Sequence, residues 1–190
     1  TDGDHFQIVI SRQSEEDLTL YKNPNNRISV NGKILTRNSQ SDNTAFLISD
    51  YPILFTCSYT RIKVLSVYDM ILGLTNTFEG SDICNDDLFR YAFGIKKNSN
   101  DVMVYYYLDS NNEVRFTSLQ PNVNDIMSVE ICEGKINYVV YINDIPATLF
   151  SVDAKQDILS EFKVVVALRN KDSSCSVPKI IQDPRSEEHT

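Results

Sequence analysis

Tryptophan is absent from the 190-residue chain, histidine occurs twice, and glycine and proline occur six times each. Each shortage narrows the chemistry. Nucleophilic hydrolysis needs a positioned base, most often histidine, and His5 lies near the amino end while His189 stands among the last residues. Neither is expected to meet a Ser or Cys inside a cleft. Without Trp the chain lacks the strongest stacking platform for a sugar ring. No run of about 18 apolar residues occurs, so direct insertion of this segment into a membrane is not expected. Lys and Arg number 18 against 26 Asp and Glu, a net charge of −8 that opposes sequence-blind attraction to phosphate backbones or anionic lipid. Nucleic acid is therefore not an expected partner.

What is present suits a folded domain. Hydrophobic residues make up 42% and charged residues 23%, enough apolar material for a sizeable core in a chain of this length. No Gly-, Ser- or Pro-rich linker divides it, and one domain over residues 1–183 is expected, with a split near Pro121 as the alternative. Residues 184–190 read as a polar tail or an appended remnant. Thr1 follows no initiator Met, basic region or apolar leader, so the chain reads as a processed or excised piece of something longer.

The four cysteines, Cys57, Cys84, Cys132 and Cys175, show no C-x-x-C spacing, which removes zinc-knuckle and thioredoxin-like motifs. They allow two disulfides in any of three connectivities. Cys84 sits in the polar stretch 80–87 and Cys175 follows Asp172-Ser173-Ser174, loop-like positions where a free thiol would be oxidisable. This favours disulfides and a secreted or cell-surface location over reduced, buried thiols in the cytosol. No N-x-S/T glycosylation sequon occurs.

Period-two alternation of apolar and polar residues dominates the chain. Runs at residues 46–48, 53–59, 62–74, 88–95, 102–108, 114–119, 126–131, 136–142, 147–152 and 162–168 alternate with joints such as Asn98-Ser99-Asn100-Asp101 and Asp109-Ser110-Asn111-Asn112. Ile28, Val30 and Ile34 flank Asn31-Gly32, a hairpin dipeptide. Only Asp153 to Ser160 reads as helical, with Asp153 as its cap. Strands without intervening helices cannot make parallel crossovers. The expected class is all-β, a two-sheet antiparallel β-sandwich with at most one short helix.

Three stretches carry a family resemblance. Met70-Ile71-Leu72-Gly73-Leu74 resembles a strand ending in Gly-Leu ahead of a variable loop. Asn124-Asp125-Ile126-Met127-Ser128-Val129-Glu130 resembles a strand of the type Asp-x-apolar-x-Val-Glu, and residues 134–143 resemble the hairpin that follows it. Asp144 departs from that pattern by replacing the usual Gly after Asn143. From about Ile28 to Leu168 the order of features resembles the concanavalin-A-like superfamily, which includes legume-lectin, laminin-G and SPRY-like jelly rolls. The resemblance implies a jelly-roll fold that serves as a binding module in many members and a glycosidase in some.

The clusters that could do chemistry have ordinary explanations. Glu130 and Glu133 stand at an odd offset, which on a regular strand sends them to opposite faces and separates a carboxylate pair. Asp82, Asn85, Asp86 and Asp87, and Asp109, Asn111 and Glu113, supply oxygens of the kind calcium takes, yet the second lacks the Gly and later Glu of a calcium loop. Both read as solvated turns, and neither metal nor cofactor is expected. More informative is an aromatic surface. If the strands holding Tyr105, Tyr107, Arg115, Asn137 and Tyr141 are neighbours, these residues share one outer face, and Tyr and Arg are enriched where proteins bind proteins. The alternative is that the rest of the domain covers that face. The expected function is a non-enzymatic secreted or cell-surface module that engages a protein partner in adhesion or complex assembly. The alternative is a carbohydrate-binding, lectin-like module. A glycosidase or a cytosolic SPRY-like interaction domain stands behind both.

Overall fold

A computed structural model describes residues 21–22, 27–39, 45–53, 55, 57–76 and 89–182. Strands β1 (Tyr21–Lys22), β2 (Ile28–Asn31), β3 (Ile34–Arg37), β4 (Ala45–Ile53) and β5 (Cys57–Lys63) come first. Then follow β6 (Met70–Thr75), β7 (Tyr91–Lys97), β8 (Met103–Leu108), β9 (Val114–Phe116) and β10 (Ile126–Cys132). The last are β11 (Lys135–Ile142), β12 (Ile145–Asp153), β13 (Phe162–Leu168), β14 (Ser174–Ser176) and β15 (Lys179–Gln182). Every ladder among them is antiparallel.

Among the described residues the strands form a seven-stranded sheet in the order β1-β4-β13-β6-β7-β8-β9 and a five-stranded sheet in the order β12-β11-β10-β5-β15. A three-stranded sheet, β14-β3-β2, lies beside them. Strands on both sides of Pro121 pair with one another in every sheet. The all-β two-sheet expectation is met.

Alternation decides which side chains meet. Met127, Val129 and Ile131 of β10, with Ile136, Tyr138 and Val140 of β11, face Leu72, Leu74, Phe93, Val164 and Val166 of the larger sheet in one buried core. Two ring pairs bridge the sheets: Phe93 stacks on Tyr138 at 5.3 Å between centroids and Tyr107 on Phe150 at 4.4 Å. The reverse side of the seven-stranded sheet holds a second buried cluster that includes Ile71, Ala92, Tyr106, Leu108 and Val165. Its strands are therefore apolar on both faces. Gly73 is required there, because a Cβ would lie 2.5 Å from the Tyr91 carbonyl oxygen and 2.6 Å from the Ala92 Cβ.

Several expectations need correction. The run at residues 53–59 is broken between β4 and β5, and the run at 62–74 is broken between β5 and β6. The hairpin between β2 and β3 turns at Gly32-Lys33, one residue later than Asn31-Gly32, since Asn31 still pairs with Ile34. Gly32 has φ of +62°, and glycine in the first central position is the type II′ pattern. Asp144 does not prevent the tight turn between β11 and β12, where Asn143 and Asp144 adopt φ of 51° and 66°. The helix expected over Asp153–Ser160 shrinks to one 3-10 turn, Lys155–Asp157, in which the Asp153 carboxylate accepts the Lys155 N–H at 3.0 Å.

Cysteine pairing differs too. Cys57 and Cys132 stand directly opposite on β5 and β10 and are joined by a disulfide. Cys175 is a free thiol, not an exposed loop cysteine: it lies on β14, fully buried, bridged to Val64 and packed in the main core. Two disulfides from four cysteines are therefore not realised. Cys84, His5, His189 and the cluster Asp82, Asn85, Asp86 and Asp87 lie outside the described residues.

Candidate functional site

The site is built on the outer face of the five-stranded sheet. Because Met127, Val129 and Ile131 point into the core, Ser128 and Glu130 point away from it, and register decides their neighbours. Arg61 pairs with Ser128, Tyr59 with Glu130, and Glu130 with Asn137. Tyr141 stands two rows beyond Asn137 along β11, opposite Ile126. Tyr59, Arg61, Ser128, Glu130, Asn137 and Tyr141 thus share one face of three adjacent strands.

Arg61 organises them. Its guanidinium lies 4.1 Å from the Tyr59 ring centroid and 4.6 Å from that of Tyr141, within cation–π range of both. Arg61 Nε donates to Ser128 Oγ at 3.0 Å, and Nη2 donates to Glu130 Oε2 at 2.9 Å and to Tyr141 Oη at 3.0 Å. Tyr141 Oη donates in turn to Glu130 Oε2 at 2.6 Å, and Ser128 Oγ donates to the same oxygen at 2.9 Å. Burial, then the bond to Glu130, holds the Tyr141 hydroxyl above the ordinary phenol range. Three donors converge on Oε2, and Oε1 has no donor among the described residues. The result is a preorganised platform with aromatic area, a fixed cation and an acceptor still open to an incoming donor. Asn137, alongside, accepts a hydrogen bond from the Ser151 hydroxyl.

The platform runs into a groove of about 600 Å3 at the corner where β14 passes into β15 and the β2–β3 hairpin leans over the sheet. The hairpin is tied there by the Val177 N–H, which donates to the Lys33 carbonyl at 2.8 Å.

The five residues expected on one face divide between two sheets. Asn137 and Tyr141 lie together on the platform. Tyr105 and Tyr107 lie on β8, on the face of the larger sheet that meets the smaller one, so the domain itself covers them. Tyr105 is fully buried and its hydroxyl donates to the buried Asp125 carboxylate at 2.8 Å. Tyr107 is packed on Phe150. Arg115 stands opposite Tyr107 on β9, exposed at the rim, and pairs with Asp109 at 2.8 Å and Glu113 at 3.2 Å. The geometric premise fails because β8 and β11 are not neighbours.

Asp109, Asn111 and Glu113 form a closed turn: Asp109 Oδ1 accepts the N–H groups of Asn111 and Glu113 at 2.9 and 3.0 Å, and Oδ2 accepts Arg115. The carboxylate is occupied by its own loop, which is the solvated-turn reading. Sequence reasoning missed Tyr59, Arg61 and the outward role of Glu130. The available signal was Tyr-x-Arg in β5 alongside Ser-x-Glu in β10, each with an apolar or small residue between.

Neither a protein-family model nor a curated protein sequence matches the chain. Solved structures do. A legume lectin-like domain from Entamoeba histolytica superposes with a TM-score of 0.59 at 14% identity, over 85% of this chain and 87% of that one. The exoplasmic/lumenal domain of VIP36, in a form bound to Ca2+ and Man2, gives 0.55 at 9% identity, over 86% and 80%. The PSpry domain of TRIM65 gives 0.62 at 10% identity, over 90% and 98%. The chain has the concanavalin-A-like jelly-roll fold, as the resemblance implied. At these identities the likeness establishes the fold alone.

Proposed function

We propose that the chain is a non-enzymatic binding module that engages a protein partner through the outer face of its five-stranded sheet, at the cell surface or in a secreted assembly. The observation that carries this reading is Arg61 held between the Tyr59 and Tyr141 rings, with Glu130 and Ser128 fixing its guanidinium. A platform whose rotamers are already set loses little side-chain entropy on association, and Tyr and Arg dominate binding energy at protein interfaces. The Cys57–Cys132 disulfide supports an oxidising compartment. The lectin-like and SPRY neighbours make a binding role natural on this scaffold and do not name its partner.

A glycan reading is kept as the second one, because flat rings beside Asn137 and Glu130 also suit a sugar and two of the similar structures are lectin-like. One experiment separates them. A photo-crosslinking residue at Asn137 is expected to capture a protein from extracellular extract, with capture lowered about tenfold by Arg61→Ala, the scale of a single interface anchor. Binding on a glycan array that disappears in Asn137→Ala, with no protein captured, reverses the order of the two readings.

A further inference from the structure

The chain carries a net charge of −8, yet the groove beside the platform is lined by cations and no carboxylate among the described residues. Lys33 from the hairpin, Lys63 from β5 and Lys179 from β15 stand around an apolar surface made by Val30, Ile126 and Val177. Arg61 lines its inner end, already committed to Glu130. Lys33 and Lys63 are exposed and form no ion pair among the described residues. Val30 keeps 57% of its surface in contact with solvent, so the groove presents apolar area and unneutralised positive charge together.

We infer that this groove seats a short acidic segment of the protein partner, an inference that rests on the protein-binding reading above. The segment places an apolar side chain on Val30, Ile126 and Val177 and carboxylates against Lys33 and Lys63. Its dimensions are appropriate, since ligand sites commonly enclose about 300–1,000 Å3. An extended polyanion is a poor fit. A short segment keeps its charges within about 8 Å of Lys33 and Lys63, the Debye length at physiological ionic strength, where they are least screened. The apolar floor also asks for a side chain that a phosphate backbone does not possess.

The test uses a fluorescein-labelled octapeptide of alternating Glu and Leu, with Lys-Leu and Glu-Ser octapeptides as controls, read by fluorescence anisotropy and by amide chemical-shift mapping. The Glu-Leu peptide is expected to bind with shifts at Val30, Lys33, Lys63, Ile126 and Val177, and the two controls more weakly. The double variant Lys33→Glu/Lys63→Glu is expected to weaken it about tenfold or more at an unchanged melting temperature, because both side chains are exposed and unpaired. The assignment is overturned by unaltered peptide binding in that variant, by shifts elsewhere, or by a sulfated oligosaccharide that binds the groove while the Glu-Leu peptide does not. Peptide binding lost in the double variant, with no protein captured at Asn137, supports the groove chemistry and counts against the platform reading alone.

Discussion

Arg61 on β5 reaches across the full width of β10 to place its guanidinium 4.6 Å from the Tyr141 ring on β11. Three strands are thereby coupled through one side chain. Arg61→Ala should lower stability by about 1–2 kcal/mol, the sum of a partly exposed ion pair and cation–π contact. A double-mutant cycle with Tyr141→Ala, measured by urea denaturation, should give a coupling of about 0.5–1 kcal/mol. A coupling of zero would show that the two residues are merely adjacent.

The β11–β12 turn holds two non-glycine residues in the left-handed region, Asn143 at φ 51° and Asp144 at 66°. Asn tolerates that region better than most residues, and Asp144 occupies the position where glycine is preferred in such turns. Asp144→Gly should raise stability by about 1 kcal/mol, since the left-handed strain removed outweighs the added freedom of the unfolded chain. Thermal unfolding gives the sign directly, and a lower melting temperature would contradict it.

Tyr105 and Asp125 form a buried pair in the main core, the carboxylate also accepting the Asn122 N–H at 2.9 Å. Tyr105→Phe keeps the ring and deletes only the donor, leaving the carboxylate short of one bond. It should cost about 1–3 kcal/mol in chemical denaturation while leaving capture at Asn137 unchanged. A loss of binding in the folded variant would place Tyr105 in the site after all.

Burial pushes the Cys175 thiol up to about 12 from an ordinary value of 9.0. The folded state therefore favours the protonated thiol. Its contribution is fully present below about pH 9 and declines as pH rises toward 12, because the unfolded chain releases its proton first. Cys175 should resist iodoacetamide at pH 8 in the folded protein and react in urea, with peptide mapping identifying the residue. Rapid labelling in the folded state would contradict its burial.

The fold was legible because alternation and turn residues agree over most of the chain, as in Met127, Val129 and Ile131 against Ser128 and Glu130. The same alternation placed Asn137 and Tyr141 outward. It failed on β8, where Tyr105 and Tyr107 face one core and Tyr106 and Leu108 the other, so no polar residue marks an outer side. Strand neighbours were the second gap. Whether β11 lies beside β8 or beside β10 and β12 depends on pairing between distant segments, which local pattern does not encode. Arg61 and Glu130 meet only through the β5–β10 ladder, and the pairing of Cys57 with Cys132 follows from that same ladder. Cys175 was misjudged because the turn at Lys171-Asp172 ends before Ser174, where β14 already begins.

The covalent link between β5 and β10 has a meaning for geometry as well as for stability. Cys57 faces Cys132, Tyr59 faces Glu130 and Arg61 faces Ser128, so the sulfur bond and the platform lie along one ladder. Sliding one strand by a single residue would turn Tyr59 and Arg61 from the solvent side to the core side. The disulfide forbids that slip, and so acts as an alignment pin for the recognition surface.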